Sequence, residues 1–290
     1  MGSISLKLLN NLRKGLTQKI INLREFSDNQ KKVNDLMQDV INVEESIKDG
    51  MDPQHTLYAY GQNLISVFLD IIAGSPIFRP FCKKYFAAED EYMPKGPPLS
   101  PITLSYFTSW GFFDLTFGKD KETITTCLID VSDYLKLSPD VIFVLKNMQA
   151  SRMGIYKHLG TDKGKVIFRE LYTHKEIYCH STSGYLGKKN QLWYVRIMPP
   201  IDDMFNYSII FTTPYILLNS NENDWIDYFT RTLPKIKLTD KKSAFIFLMK
   251  YGLNDTYWNE YVFQGYHHYQ YDAIFLEGIP DIKDSLPHPY

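Results

Sequence analysis

The feature that most constrains this chain is an abrupt change of period at Arg152. Upstream, apolar residues recur every three or four positions, the spacing of helices that bury one face. Downstream come short runs rich in β-branched and aromatic residues: Ile155-Tyr156, Val166-Ile167-Phe168, Ile177-Tyr178, Trp193-Tyr194-Val195-Arg196-Ile197 and Tyr207-Ser208-Ile209-Ile210-Phe211. Turn signals at Asp162-Lys163-Gly164, Gly184, Gly187 and Pro199-Pro200 separate them. Five short strands within about 60 residues are hard to satisfy without closing into a small barrel. Near residue 222 the helical period returns, with Trp225, Ile226, Phe229 and Leu233 on one stripe, followed by helices over 241–251 and 256–268. The expected fold class is therefore α+β: a helical N-terminal region, a central small β-barrel, and C-terminal helices packing back on it.

The helical part reads as a series of elements with defined stops. Residues 4–24 place Leu9, Leu12, Leu16, Ile20 and Leu23 on an amphipathic stripe. Val33, Leu36, Met37, Val40, Ile41 and Val43 mark a second helix that stops at Asp49-Gly50, and a third runs from about His55 to Ala73. Pro94, Gly96, Pro97, Pro98 and Pro101 then crowd into a rigid connector, since dense proline forbids continuous helix or central strand. Ser100-Pro101 resembles a helix start, opening a helix through Trp110 and Phe113, with two more over 121–136 and 139–151. The expected organisation is a helical region at 1–93, a connector at 94–101, a helix-plus-barrel domain at 102–278, and a tail at 279–290 that carries three prolines.

Composition narrows the function classes. With 44% hydrophobic and 22% charged residues, most of the chain has the balance of a folded protein. The net charge of −1 gives no whole-molecule attraction to nucleic acid or an anionic membrane, leaving only a local patch for either. Cys82, Cys127 and Cys179 are odd in number and far apart, so they read as reduced, small hydrophobes rather than a disulfide framework. No apolar run approaches the ~20 residues of a transmembrane segment. Lys7, Arg13, Lys14 and Lys19 interrupt any secretory apolar core, so the cytoplasm is expected. The first 24 residues hold five Lys or Arg and no acid. The apolar stripe of that basic helix must be covered by its own domain, by a protein partner or second copy, or by an anionic membrane; docking through it is the expected route to a partner or self-association.

Within residues 107–198, Phe107, Trp110, Phe113-Asp114, Ser151-Arg152-Met153-Gly154-Ile155-Tyr156, Arg169-Glu170-Leu171, Thr173 and Tyr194-Val195-Arg196 form a pattern. It resembles a helix-plus-small-barrel module of uncharacterised bacterial proteins, some of which carry a separate SEC-C zinc motif. That cysteine motif is absent here. The commoner sequence reads Asp-Leu-Leu-Thr-Gly where this chain has Glu170-Leu171-Tyr172-Thr173-His174, and losing the Gly works against the same tight turn. The resemblance implies a fold and a bacterial origin, and no activity.

Site chemistry is sparse. His174, Cys179 and His180 are the nearest approach to a metal cluster, but adjacent strand residues point to opposite faces, and His267-His268 as helix neighbours fare little better. No metal and no cofactor is expected. The glycine-rich phosphate loops and the Gly-x-Ser-x-Gly nucleophile elbow are missing. Asp114, Glu170 and Asp272 lie beside apolar runs that could raise a carboxyl pKa and suit it to acid–base work; each is also a natural cap or partner for Arg152 or Arg196. Tyr194 and Arg196 share parity opposite Trp193, Val195 and Ile197. If Trp193 faces the core, they form an outward aromatic–cation pair of the kind that stacks bases or grips a partner, as on SH3-like and OB-type barrels, with Arg152 as a third binding candidate. The reading that follows is a non-catalytic binding or scaffold protein using a barrel surface; the alternative is a hydrolase or nuclease working through scattered carboxylates and His.

Overall fold

The computed structural model describes residues 1–17, 47, 49–72, 74–93, 102–201, 205–253, 265–269 and 272–277. The chain divides into two units, Met1–Glu89 with Trp110–Ala150, and Asp90–Ser109 with Ser151–Tyr290. The Pro-rich connector lies outside the described residues. The division also differs from a single cut there, because residues 110–150 belong with the N-terminal helices.

The first unit contains α1 (Ser3–Thr17), α2 (Pro53–Ile72), a 3-10 turn (Pro76–Phe78) and most of α3 (Arg79–Tyr92). The division falls inside α4 (Leu104–Phe113), and α5 (Ile124–Asp130), α6 (Ser132–Leu135) and α7 (Pro139–Ala150) complete the unit. Sequence reading passed over α3; Pro80 is tolerated in its first turn, where the missing N–H has no helical partner anyway. Residues 121–136 form two helices rather than one, broken at Val131, whose φ of −102° and ψ of 7° leave the helical range, and a reciprocal capping box of Thr123 and Thr126 sets the start of the first at Ile124. What ties 110–150 to α2 is close packing: a Cβ on Gly61 would stand 2.6 Å from the Met148 sulfur.

A carboxylate holds the start of α1 from far along the chain. Buried Glu122 accepts the N–H groups of Ile4 and Ser5, both at 2.8 Å, and the Ser5 hydroxyl at 2.6 Å, while Asp120 accepts the Ser3 N–H at 2.8 Å. These are donors that a helix start leaves open, next to the positive end of its dipole. A two-way backbone bridge between Phe117 and Glu122 sets that carboxylate in place. Ile4 and Leu8 are buried, Leu9 and Leu12 half-buried, and Lys7 and Arg13 exposed. The covered stripe therefore centres on Ile4 and Leu8, earlier than expected. Residues 18–24 of the expected first helix, and the whole expected second helix, lie outside the described residues.

The second unit is the barrel with its attached elements: β1 (Arg152–Asp162), β2 (Lys165–Glu170), β3 (Glu176–Ser181), β4 (Leu192–Met198), β5 (Ser208–Ile210), β6 (Tyr215–Leu218), α8 (Glu222–Thr232), α9 (Lys241–Tyr251), β7 (Gly265–Tyr269) and β8 (Ile274–Glu277). The order β1-β2-β3-β5-β4 closes through a β1–β4 pairing into a five-stranded barrel, antiparallel except for β3 beside β5. β6 continues the sheet from β4, and β8 joins β6 in parallel. The α+β class and the small barrel are thus present. The expected helix over 256–268 is corrected at its end: Gly265–Tyr269 is the strand β7, paired antiparallel with β8. Among the described residues, no helix is long and apolar enough to cross a membrane.

Inside the barrel, Tyr156, Val166, Phe168, Cys179, Trp193, Val195 and Ile210 form one apolar cluster. Trp193 is its hub, with ring centroids of Phe168 and Tyr185 each 5.1 Å away and its indole N–H donating to Gln191 at 3.3 Å. Gly187, at φ 64°, lies so close that a Cβ there would stand 2.2 Å from the indole. Truncating a buried Trp leaves a cavity and removes transfer free energy together. Trp193→Ala is expected to lower unfolding stability by about 3–5 kcal/mol in urea titration; an unchanged midpoint would mean the indole is not part of the core.

Candidate binding surface

One end of the barrel is closed by an ion pair. Arg152 donates to both oxygens of buried Glu170, at 2.8 and 3.1 Å, and to the Met153 carbonyl at 3.0 Å; the Thr173 hydroxyl also donates to Glu170. The Arg152 guanidinium lies 5.0 Å over the Phe245 ring of α9, and Tyr172 stacks on the same ring at 4.7 Å. Burial, reinforced by the Glu170 charge, pushes the Tyr156 phenol well above its ordinary range. Burial works against the Arg152 charge, but Tyr156 and Glu170 outweigh it and leave the guanidinium more firmly protonated. Glu170 thus accepts from both Arg152 nitrogens and from Thr173, the geometry of a bidentate buried ion pair.

Tyr194 and Arg196 require a correction. They do not form an outward pair; each is 1% exposed. Arg196 Nη1 donates to the Ser151 carbonyl at 3.1 Å and hydroxyl at 3.0 Å, and Lys250 Nζ reaches the same carbonyl at 2.7 Å. The Tyr194 hydroxyl lies 3.2 Å from that of Tyr106, and its ring stacks with Tyr215. Trp193, Val195 and Ile197 do face the core, but the opposite face of β4 is packed as well. Arg152, the third binding candidate, is committed to Glu170.

The remaining candidates do not assemble. Asp114 is buried in the first unit, whereas Glu170 and half-buried Asp272 belong to the second. Cys179 lies in the barrel core, where burial pushes its thiol up, while His174 is an exposed turn residue. His267 and His268 sit on β7, not on a helix. Among the described residues, no group of three or more His, Cys, Asp or Glu is placed to hold a metal. The turn forms with His174 in the position where a Gly would be easiest: it takes φ 56° itself, and its N–H donates to the Glu170 carbonyl at 2.9 Å.

What sequence reading missed is the outer face of β2 and β3. Lys165, Ile167 and Arg169 alternate outward on β2, opposite the core residues Val166 and Phe168. Ile167 pairs with Tyr178 on β3, and the parallel register Cys179 to Ser208 puts Tyr207, at the start of β5, at the same level. Ile167, Tyr178 and Tyr207 thus form one row across three strands. Tyr178 is 44% exposed, and Lys165 Nζ stands 4.2 Å over the Tyr207 ring, which Phe205 meets edge-on at 5.8 Å. Lys157 and Arg169 border the row, both paired with Glu222 of α8. The available signal was the parity of Lys165 and Arg169 against Val166 and Phe168, the same argument that was applied to β4. No family model matches the chain, and neither the curated proteins nor the solved structures compared with it contain a match.

At the other end of the barrel, buried His158 contacts Trp193 and Phe168, and its Nε2 meets the Leu186 carbonyl at 2.8 Å. Burial lowers its pKa. As pH falls through the unfolded value of about 6.5, the unfolded chain takes up a proton that the folded one refuses, so stability declines. His158→Gln is expected to flatten the fall in unfolding free energy between about pH 6.5 and 5; an equal slope in both proteins would contradict this. His174→Gly should relieve the left-handed conformation and raise stability by up to about 1 kcal/mol, net of the chain entropy that Gly adds. Thermal melts of the two proteins decide it, and a lowered melting temperature would count against the argument.

Proposed function

We propose that this is a non-catalytic binding protein whose ligand surface is the outer face of β2 and β3 with the start of β5. The observation that carries the reading is the row Ile167, Tyr178 and Tyr207 with Lys165 over it. Tyr178 is the one large apolar side chain on a barrel strand that is exposed among the described residues, and a planar group beside cations is suited to recognition. The surface differs from the β4 pair anticipated from sequence, while the class of function is the same. Catalysis through scattered carboxylates has less support, since Glu170 is saturated by Arg152 and Thr173. Buried, unpaired thiols at Cys127 and Cys179 suit a reducing compartment such as the cytoplasm. The likeness of residues 107–198 to the bacterial helix-plus-barrel module agrees with this placement and adds no activity.

The test is a paired affinity capture from host extract with the native protein and Tyr178→Glu, with bound protein, nucleic acid and small molecules each analysed. An exposed position tolerates the change, so circular dichroism should be unaltered. At least one bound component is expected to disappear with the substitution. Identical profiles from two equally folded proteins would remove the proposal.

A further inference from the structure

We infer that His158 is an acid-sensitive latch: its uncharged ring holds a strap, residues 184–189, against the Trp193 end of the barrel, and a proton on the ring releases the strap. The inference concerns the barrel end and is independent of the reading of the β2–β3 face. Three observations carry it.

The first is how the strap is held. It lies between β3 and β4, and the chain is fixed on either side of it. The Thr182 hydroxyl donates to the Ile210 carbonyl at 3.0 Å, the Asn190 N–H to the His158 carbonyl at 2.8 Å, and the His158 N–H to the Gln191 carbonyl at 2.9 Å. Left-handed residues, Gly184 and Asn190, mark the two ends. Between them the Leu186 carbonyl meets His158 Nε2 at 2.8 Å, Tyr185 lies on Trp193, and Gly187 backs onto the indole. The Gln191 side chain accepts from the Lys188 N–H at 2.7 Å and from the Trp193 indole at 3.3 Å. His158 thus grips the main chain of the strap near its middle.

The second is the protonation state that this grip requires. A carbonyl only accepts, so Nε2 carries the proton of the neutral ring. Nδ1 is buried and, among the described residues, has no hydrogen-bond partner. A second proton there would put an unsatisfied N–H and a full charge into an apolar wall, which burial strongly disfavours. The ring is 1% exposed between Phe168, Trp193 and the strap. Phe168 and Trp193 belong to the barrel ladder; the strap does not, so the strap is the wall that yields.

The third is the absence of an acid to hold the charge in place. Beneath the ring lie Tyr156 of β1 and Cys179 of β3, whose burial raises the phenol and the thiol and keeps both uncharged. Lys188 and Lys189 of the strap are exposed cations, and the one acid of β1, Asp162, is exposed at the β1–β2 turn. Burial, which lowers the proton affinity of the ring, outweighs the Leu186 and His158 carbonyls, which raise it, and no charged side chain contributes. Once the strap lifts, the ring regains water and its ordinary affinity, so opening takes up a proton.

The experiment is amide hydrogen exchange by NMR on the full chain between about pH 7 and 5, with protection corrected for the intrinsic rate at each pH. The Lys188 N–H reports on the strap, and the paired amides of β1 and β2 report on the barrel. Lys188 protection is expected to lie at least about tenfold below that of the barrel amides, which makes the opening local. It should also fall about tenfold per pH unit below about 6.5, which makes that opening proton-linked. His158→Gln, a neutral donor, should abolish the fall. His158→Phe, which removes the grip, should leave Lys188 less protected at every pH and equally flat. A flat profile in the native protein overturns the inference, because the strap then lifts without the proton. Lys188 protection equal to that of the barrel amides at every pH also overturns it, because the strap then opens only when the barrel unfolds. A slope that survives in either folded variant does the same, and the native profile alone decides the matter if neither variant folds.

Discussion

The second unit depends on one strand being paired on both sides. β1 gives its first half to β4, from Arg152 opposite Ile197 to Lys157 opposite Leu192, and its second half to β2, from Tyr156 opposite Glu170 to Asp162 opposite Lys165. Only Tyr156 and Lys157 are held in both ladders. A strand can serve two neighbours in this way only if it bends, and the register break between His158 and Gly160 supplies the bend. Without it the five strands would remain an open sheet with unpaired edges. Because β1 alternates up to that break, the same geometry determines the contents of the barrel: Arg152, Tyr156 and His158 share a parity and line it from the ion-paired end to the aromatic end.

That lining is not uniformly favourable. Taking Arg152 and Glu170 out of water costs several kcal/mol per ion, and their mutual attraction roughly restores it only because the pair is bidentate and Thr173 adds a donor. A pair of this kind contributes less to stability than to choice of register. Slipping β2 by one residue against β1 would turn Glu170 outward and bury Arg169 opposite an unpaired Arg152. The ion pair therefore discriminates against a specific misfolded alternative, as a well-packed Leu in its place could not. On the outer side of β4, Tyr106, Tyr194 and Tyr215 solve a similar problem with neutral groups, keeping their hydroxyls in contact with one another or with the Thr103 N–H.

Much of this architecture was legible in the residues. The switch from helical to strand period at Arg152, the five barrel strands and the core face of Trp193 can all be read from spacing, because period and burial are coupled within a single element. What could not be read is whatever depends on the neighbours of an element. Alternation along β4 separates two faces but does not say that the second is packed, so Tyr194 and Arg196 were expected in water. The same limit hid the surface row, since Ile167, Tyr178 and Tyr207 become neighbours only through the β2–β3 and β3–β5 registers. Strands β6, β7 and β8 escaped because they are only four or five residues long, and β6 directly follows Pro214. The tight turn at His174 was doubted on sound steric grounds, yet forms because the Glu170 carbonyl and carboxylate on either side of it are fixed by the barrel.

The parallel pairing of β6 with β8 has a consequence in time. β6 is complete by Leu218, but its partner runs from Ile274 to Glu277, beyond both C-terminal helices. During synthesis from the N-terminus, the barrel can close and β6 can attach to β4 while the opposite edge of β6 still shows unpaired N–H and carbonyl groups beside Ile216 and Leu217. Until β8 emerges, that edge is open to any extended segment within reach, including the β6 of another nascent copy. The order in which this chain leaves the ribosome thus places its period of greatest exposure to misassembly late, after most of its core is already built.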